Sequence, residues 1–174
     1  MLTRSDTTVS KAIGAFTADQ YTHAAISFSP SLCPLYSFGR KGTLPLPGGL
    51  KLEYTDSGYY KAHNHIPCAL YSLEVDDEVY EEAQRVVTGM VDELDSYQYN
   101  VIGLFLCRLN IPLARRHHYF CSQFVGEVLF RSRALKLPKH TSLMRPNDYT
   151  NLPELELQFE GRMKELASIA SNSG

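Results

Sequence analysis

Tyr119-Phe-Cys-Ser-Gln-Phe-Val-Gly-Glu-Val-Leu129 is the stretch on which the reading of this chain turns. An aromatic pair, Tyr119-Phe120, leads into a cysteine. Behind it Phe124, Val125, Val128 and Leu129 recur at helical spacing, with Leu135 beyond. That period predicts a buried helix from Cys121 to Leu135. A thiol on the first residue of a helix lies at the positive end of the macrodipole, among backbone N–H groups that lack an intrahelical acceptor. Both favour the thiolate, and the same N–H groups suit an oxyanion forming on an attacked carbonyl. Cys121 thus offers an activated nucleophile with part of an oxyanion hole. The plainer reading of the same residue is a small buried hydrophobe.

A thiolate catalyst needs a base, and the chain has 6 histidines. His23 stands out because it interrupts an apolar run, Tyr21-Thr-His-Ala-Ala-Ile-Ser-Phe28, that reads as a strand ending at Ser29-Pro30. An imidazole placed there needs hydrogen-bond partners, and a strand aims its ring in a defined direction. His63-Asn-His65 has a spacing compatible with metal binding. No thiolate or carboxylate is arranged around it, so a loop surface is the better reading and no metal is expected. His118 precedes the cysteine and is placed to line its pocket, with Tyr119, Tyr21 and Tyr36.

Working outward, the sequence predicts a helix over Thr8 to Phe16 within an N-terminal segment of residues 1–20. A strand over Leu35 to Phe38 is expected to form a hairpin-like unit with the His23 strand. A Gly/Pro-rich loop over 42–65 carries a short strand near Leu50 to Tyr54, and another strand covers Cys68 to Val75. Asp76-Asp77 then opens an amphipathic helix with Val79, Ala83, Val86, Val87, Met90, Val91 and Leu94 on its apolar side. A second apolar helical stretch is expected over Tyr97 to Leu109. After the cysteine helix come a turn at Arg145-Pro-Asn-Asp148, a short strand near Leu155 to Phe159 and a polar tail over 165–174. Strands early and helices late make an α+β domain with a small antiparallel sheet packed against helices.

Composition narrows the function classes. The chain has 174 residues, 44% hydrophobic and 21% charged, which suits one globular domain with its own core. Seventeen basic residues against 19 acidic ones argue against a dedicated nucleic-acid binder. No run approaches the ~20 apolar residues that span a bilayer, so no stable membrane insertion is expected. The polar start Met-Leu-Thr-Arg-Ser-Asp-Thr-Thr has no apolar signal core, and a cytoplasmic location is the expectation. Cys33, Cys68, Cys107 and Cys121 include no CxxC pair and are expected as reduced thiols, with no structural zinc.

The combination of Tyr21-Thr-His-Ala-Ala-Ile-Ser-Phe28, Leu35-Tyr-Ser-Phe-Gly-Arg40, Tyr119-Phe-Cys-Ser-Gln-Phe-Val125 and Arg145-Pro-Asn-Asp148 resembles the circularly permuted branch of the NlpC-type papain-like superfamily. YiiX-like proteins and the lecithin:retinol acyltransferase group belong to that branch. Its members run His before Cys, as here, and the motifs span most of the chain, from His23 to Asp148. The resemblance implies a permuted papain-like fold with Cys121 as nucleophile and His23 as general base. A third polar residue, on the strand after the histidine, would orient the ring. Ser37 occupies that place; Tyr36, or Glu53 from the following loop, is the substitute.

The expected activity is therefore a thiol hydrolase that cleaves an amide or ester through a Cys121 thioester, of peptidase, amidase or acyltransferase type. Its substrate would be a peptide, an amide or a lipid-like acyl group, and no cofactor is implied. The alternative is a non-catalytic ligand-binding module on the same fold. Its support is the serine at the orienting position, since a hydroxyl cannot stabilise an imidazolium by charge.

Overall fold

The computed structural model describes residues 1–4, 19–39 and 48–172, so the helix expected over Thr8 to Phe16 lies outside the described residues. The chain is a mixed α+β protein organised as two compact units. The first comprises Met1–Leu35, Leu52–Leu73 and Pro146–Gly174; the second comprises Tyr36–Lys51 and Glu74–Arg145.

The first unit is built on a four-stranded antiparallel sheet. Its strands are β1 (Leu2–Thr3), β2 (His23–Ala24), β5 (Pro67–Ser72) and β8 (Glu156–Arg162), in the order β2-β1-β5-β8. Leu2 lies opposite Ala24 on one side and Ala69 on the other, and Cys68 lies opposite Gly161. A bulge between Leu70 and Tyr71 interrupts the long β5–β8 ladder. Two helices, α1 (Gly58–Ala62) and α5 (Met163–Asn172), belong to this unit. Its core joins Ala25, Leu32, Leu35, Tyr60, Ile66, Cys68, Met163 and Leu166. The stretch expected as a polar tail is therefore largely a helix, whose residues Met163 and Leu166 complete the core.

Among its described residues the second unit holds three α-helices: α2 (Asp77–Asp92), α3 (Val101–Arg108) and α4 (Cys121–Arg131). Helix α2 buries Ala83, Val87 and Met90 and packs against α4, while Asp77 and Glu78 in its first turn face the positive end of its dipole. Helix α3 begins later than the sequence pattern implies. Residues Gln98–Tyr99 form a short strand, β6, in parallel with β7 (His118–Tyr119), and Asn100 caps α3 by accepting a hydrogen bond from the Gly103 N–H at 2.9 Å. Glycine is required at 103, because a Cβ there would run into the Asn100 side chain. Strands β3 (Leu35–Gly39) and β4 (Gly49–Glu53) pair, and along them the chain enters and leaves this unit. At Gly49 the backbone passes so close to Tyr97 that a Cβ would sit 2.6 Å from its carbonyl oxygen.

Two expectations are corrected here. The strand over Tyr21 to Phe28 shrinks to His23–Ala24, and it pairs with β1 rather than forming a hairpin with β3. Ser27 explains the shortening: its hydroxyl donates to the Pro34 carbonyl at 3.0 Å and accepts the Ser29 N–H at 3.2 Å, folding the chain into a turn. Residues 49–65 are also more ordered than a loop, since they contain β4 and α1.

Candidate active site

His23 lies on β2, the edge strand of the four-stranded sheet, opposite Thr3. The segment leading to it is pinned twice. The Tyr21 N–H donates to Asn147 Oδ1 at 3.0 Å, and the Tyr21 hydroxyl donates to Glu160 Oε1 at 2.8 Å. Burial and the neighbouring Glu160 carboxylate push the Tyr21 phenol well above its ordinary range, so it stays a neutral donor. Tyr21 thus anchors the backbone two residues before His23, with its hydroxyl committed to β8 rather than to a pocket.

The His23 ring meets a carboxylate. Its Nε2 lies 3.0 Å from Glu53 Oε2, and both side chains are largely buried. The same oxygen accepts the hydroxyl of the fully buried Tyr60 at 3.3 Å. Burial, followed by the Glu53 charge, raises the Tyr60 phenol well above its usual value, which keeps it protonated and donating. Glu53 is the last residue of β4 and Tyr60 lies in α1, so these two elements together set the carboxylate against the ring. A donor on each side of one oxygen restricts its rotamer, and the bond at Nε2 fixes the imidazole orientation.

Ser37 does not take this role. It is fully buried in β3, and its Oγ meets no hydrogen-bond partner among the described residues. The ring's partner is Glu53, the substitute that the sequence offered. Tyr60 and Asn147 were missed. The Arg145-Pro-Asn-Asp148 motif points to the second, but nothing in the local pattern marks Tyr60 among 11 tyrosines.

Cys121 is the first residue of α4, in the second unit. Phe120 stands at the N-cap in extended conformation and makes no side-chain cap hydrogen bond. Packing and a buried hydrogen bond help hold the helix start: Ser122 Oγ donates to the Met144 carbonyl at 2.7 Å. Phe120 and Phe124 are fully buried. Phe38 packs against Phe124, Tyr119 and Tyr97, with ring centroids 5.1, 5.4 and 6.1 Å away. Of the residues expected to line the pocket, Tyr119 is buried and its hydroxyl accepts from the Arg131 guanidinium at 3.0 Å. His118 donates through Nδ1 to the Arg116 carbonyl at 2.8 Å, and Tyr36 is half-buried in β3.

Two thiols elsewhere are held protonated. Cys68, in the central strand β5, is pushed up to about 12 by burial and then by the Glu165 charge; burial also raises Cys107. Neither is a nucleophile near neutrality. All four cysteines are free thiols, and no cluster of three or more metal-ligating side chains occurs among the described residues.

No family model, curated protein or solved structure matches the chain.

Proposed function

We propose that this chain is a thiol hydrolase with Cys121 as nucleophile and His23 as general base, on the permuted papain-like fold that its sequence resembles. The observation that supports the reading most is the buried His23–Glu53 pair, 3.0 Å apart. A surface histidine has no need of a buried carboxylate, whereas an imidazole that must become an imidazolium during a reaction does. Glu53 also removes the main support for a non-catalytic module, which was the absence of a charged partner for the ring.

In this reading the His23 ring, oriented by Glu53 at Nε2, takes the thiol proton. The thiolate sulfur attacks the carbonyl carbon of an amide or ester, forming a C–S bond, while N–H groups at the start of α4 stabilise the oxyanion. The imidazolium gives its proton to the leaving amine or alcohol as the C–N or C–O bond breaks. Water then attacks the thioester and gives its proton to His23. The C–S bond breaks, the acid leaves, and the thiol is restored. Peptides, other amides and lipid-like acyl groups all carry the carbonyl that this chemistry requires.

The test is the pH dependence of iodoacetamide labelling, read at each cysteine by mass spectrometry in wild type and His23→Ala. Cys121 is expected to react at pH 6, where an ordinary thiol of pKa ~8.5 is almost wholly protonated. The reaction should move to higher pH in His23→Ala. Labelling of Cys121 that needs alkaline pH and ignores His23 would mean a binding module.

A further inference from the structure

Helix α3 inverts the usual arrangement of a surface helix. Its buried side is narrow, consisting of Gly103 and Cys107. Its outward side carries Val101, Ile102, Phe105 and, at the C-cap, Leu109, each between 56% and 66% exposed. At ~100° per residue these four positions fall within an arc of roughly 100°, with no polar residue in it. The helix ends in a Schellman arrangement: Asn110 is left-handed at φ 58°, the Asn110 N–H bonds the Cys107 carbonyl at 3.1 Å and the Ile111 N–H bonds the Leu106 carbonyl at 2.9 Å. Beyond that turn Ile111, two residues after Leu109, is itself 47% exposed.

The charge around this face is one-sided. From Ser96 to Gly126 the sequence contains no aspartate or glutamate, while it carries Arg108, Arg115, Arg116, His117 and His118. Arg115 and Arg116 are exposed, and neither guanidinium forms an ion pair among the described residues. This is notable in a chain whose overall charge is -2. A protein partner is ordinarily met by a patch with hydrogen-bonding groups at its rim and Tyr, Trp or Arg at its centre. Aliphatic residues and one Phe on a convex helix, followed by unpaired arginines, instead match the boundary between acyl chains and anionic headgroups. No described helix is long and apolar enough to cross a bilayer, so contact of this kind is peripheral.

We infer that α3 and the 109–116 segment form a docking surface for an anionic lipid membrane. Val101, Ile102, Phe105, Leu109 and Ile111 would enter the interfacial layer, with Arg115 and Arg116 on the headgroups. The inference does not rest on the thiol chemistry, and its test reads binding alone.

The experiment is co-sedimentation of the full chain with vesicles of phosphatidylcholine alone or with about one quarter phosphatidylserine. Wild type is expected to pellet with the anionic vesicles, less so as salt is raised, and to stay in solution with phosphatidylcholine alone. At roughly 1 kcal/mol per basic residue, Arg115→Gln with Arg116→Gln should weaken binding on the order of tenfold or more. Phe105→Glu should remove it. Should Phe105→Glu fail to fold by circular dichroism, Ile102→Ser gives the same readout. Failure of the wild type to bind anionic vesicles overturns the inference, as does undiminished binding by the variants. Conversion of a dimer to a monomer by Phe105→Glu would overturn it too, by showing that a second copy covers the face.

Discussion

His23 and Cys121 are held by different means. The imidazole sits on a two-residue edge strand, and what fixes it is a set of side chains: Glu53 on the ring, Tyr60 on Glu53, and Asn147 on the backbone of Tyr21. The thiol sits on an eleven-residue helix that is buried over nearly all its length and has no side-chain cap at its start. Its position comes from the backbone and from aromatic packing around Phe38 and Phe124. In the proposed reaction His23 would change charge, and its partners are ones that respond to charge. Cys121 would have to return to one place, and a helix in a close-packed core supplies that. The difference teaches where each can be damaged: one polar atom suffices at the histidine, whereas the cysteine is reached through the core.

The largest expected effect is on the cysteine side. Phe124→Ala removes a fully buried ring and should cost about 3–5 kcal/mol of stability, measured by urea unfolding. Phe105→Ala on the exposed face of α3 should cost less than about 0.5 kcal/mol. Equal costs would show that the aromatic cluster does not organise the second unit. On the histidine side, Glu53→Gln keeps a hydrogen-bond acceptor but removes the charge. It should slow labelling of Cys121 at pH 6 by roughly 10- to 100-fold with little change in unfolding. A large loss of stability with unchanged labelling would make Glu53 a structural residue only.

The smallest effect concerns a thiol that is the counterpart of Cys121. Cys68 is buried in β5 with its pKa raised to about 12, above the value it has when unfolded. The native state therefore holds its proton after the unfolded chain has lost it, so this contribution is complete below pH 9 and is lost as pH rises toward 12. The chain should lose on the order of 1 kcal/mol from this source between pH 9 and pH 11. Cys68→Ala should flatten that part of the stability profile, whatever its cost at pH 7. An unchanged slope would locate the alkaline sensitivity in the buried tyrosines.

Strong periodicity was the part of the fold most legible in the sequence. The amphipathic helix opened by Asp76-Asp77, the helix starting at Cys121, and the strands near Leu35 and Cys68 all follow from patterns long enough to be unambiguous. The misses share a cause, which is a polar or left-handed residue that redirects the chain without altering the hydrophobic pattern. Ser27 ends the His23 strand through hydroxyl bonds. Asn100 starts α3 three residues after the apolar run begins. Helix α4 stops at Arg131, and Arg133 beyond it adopts φ 61°, a conformation usually given to glycine. Cys121 at the start of a helix was legible from its surroundings. Glu53 entered only as a substitute for Ser37, because it approaches the His23 ring from a different strand, 30 residues further along the chain.

The first unit is assembled from three separated pieces of chain, the last beginning at Pro146. On the ribosome, strand β5 therefore exists long before β8 (Glu156–Arg162), the strand that flanks it on one side. The second unit, whose segments end at Arg145, can be completed first. Until the stretch from Glu156 to Leu166 has been added, the half that carries His23 presents an open strand edge and lacks Met163 and Leu166 from its core. Such an intermediate is the point in the life of the molecule most exposed to misassociation. Pairing of β8 with β5 and packing of α5 close that interval.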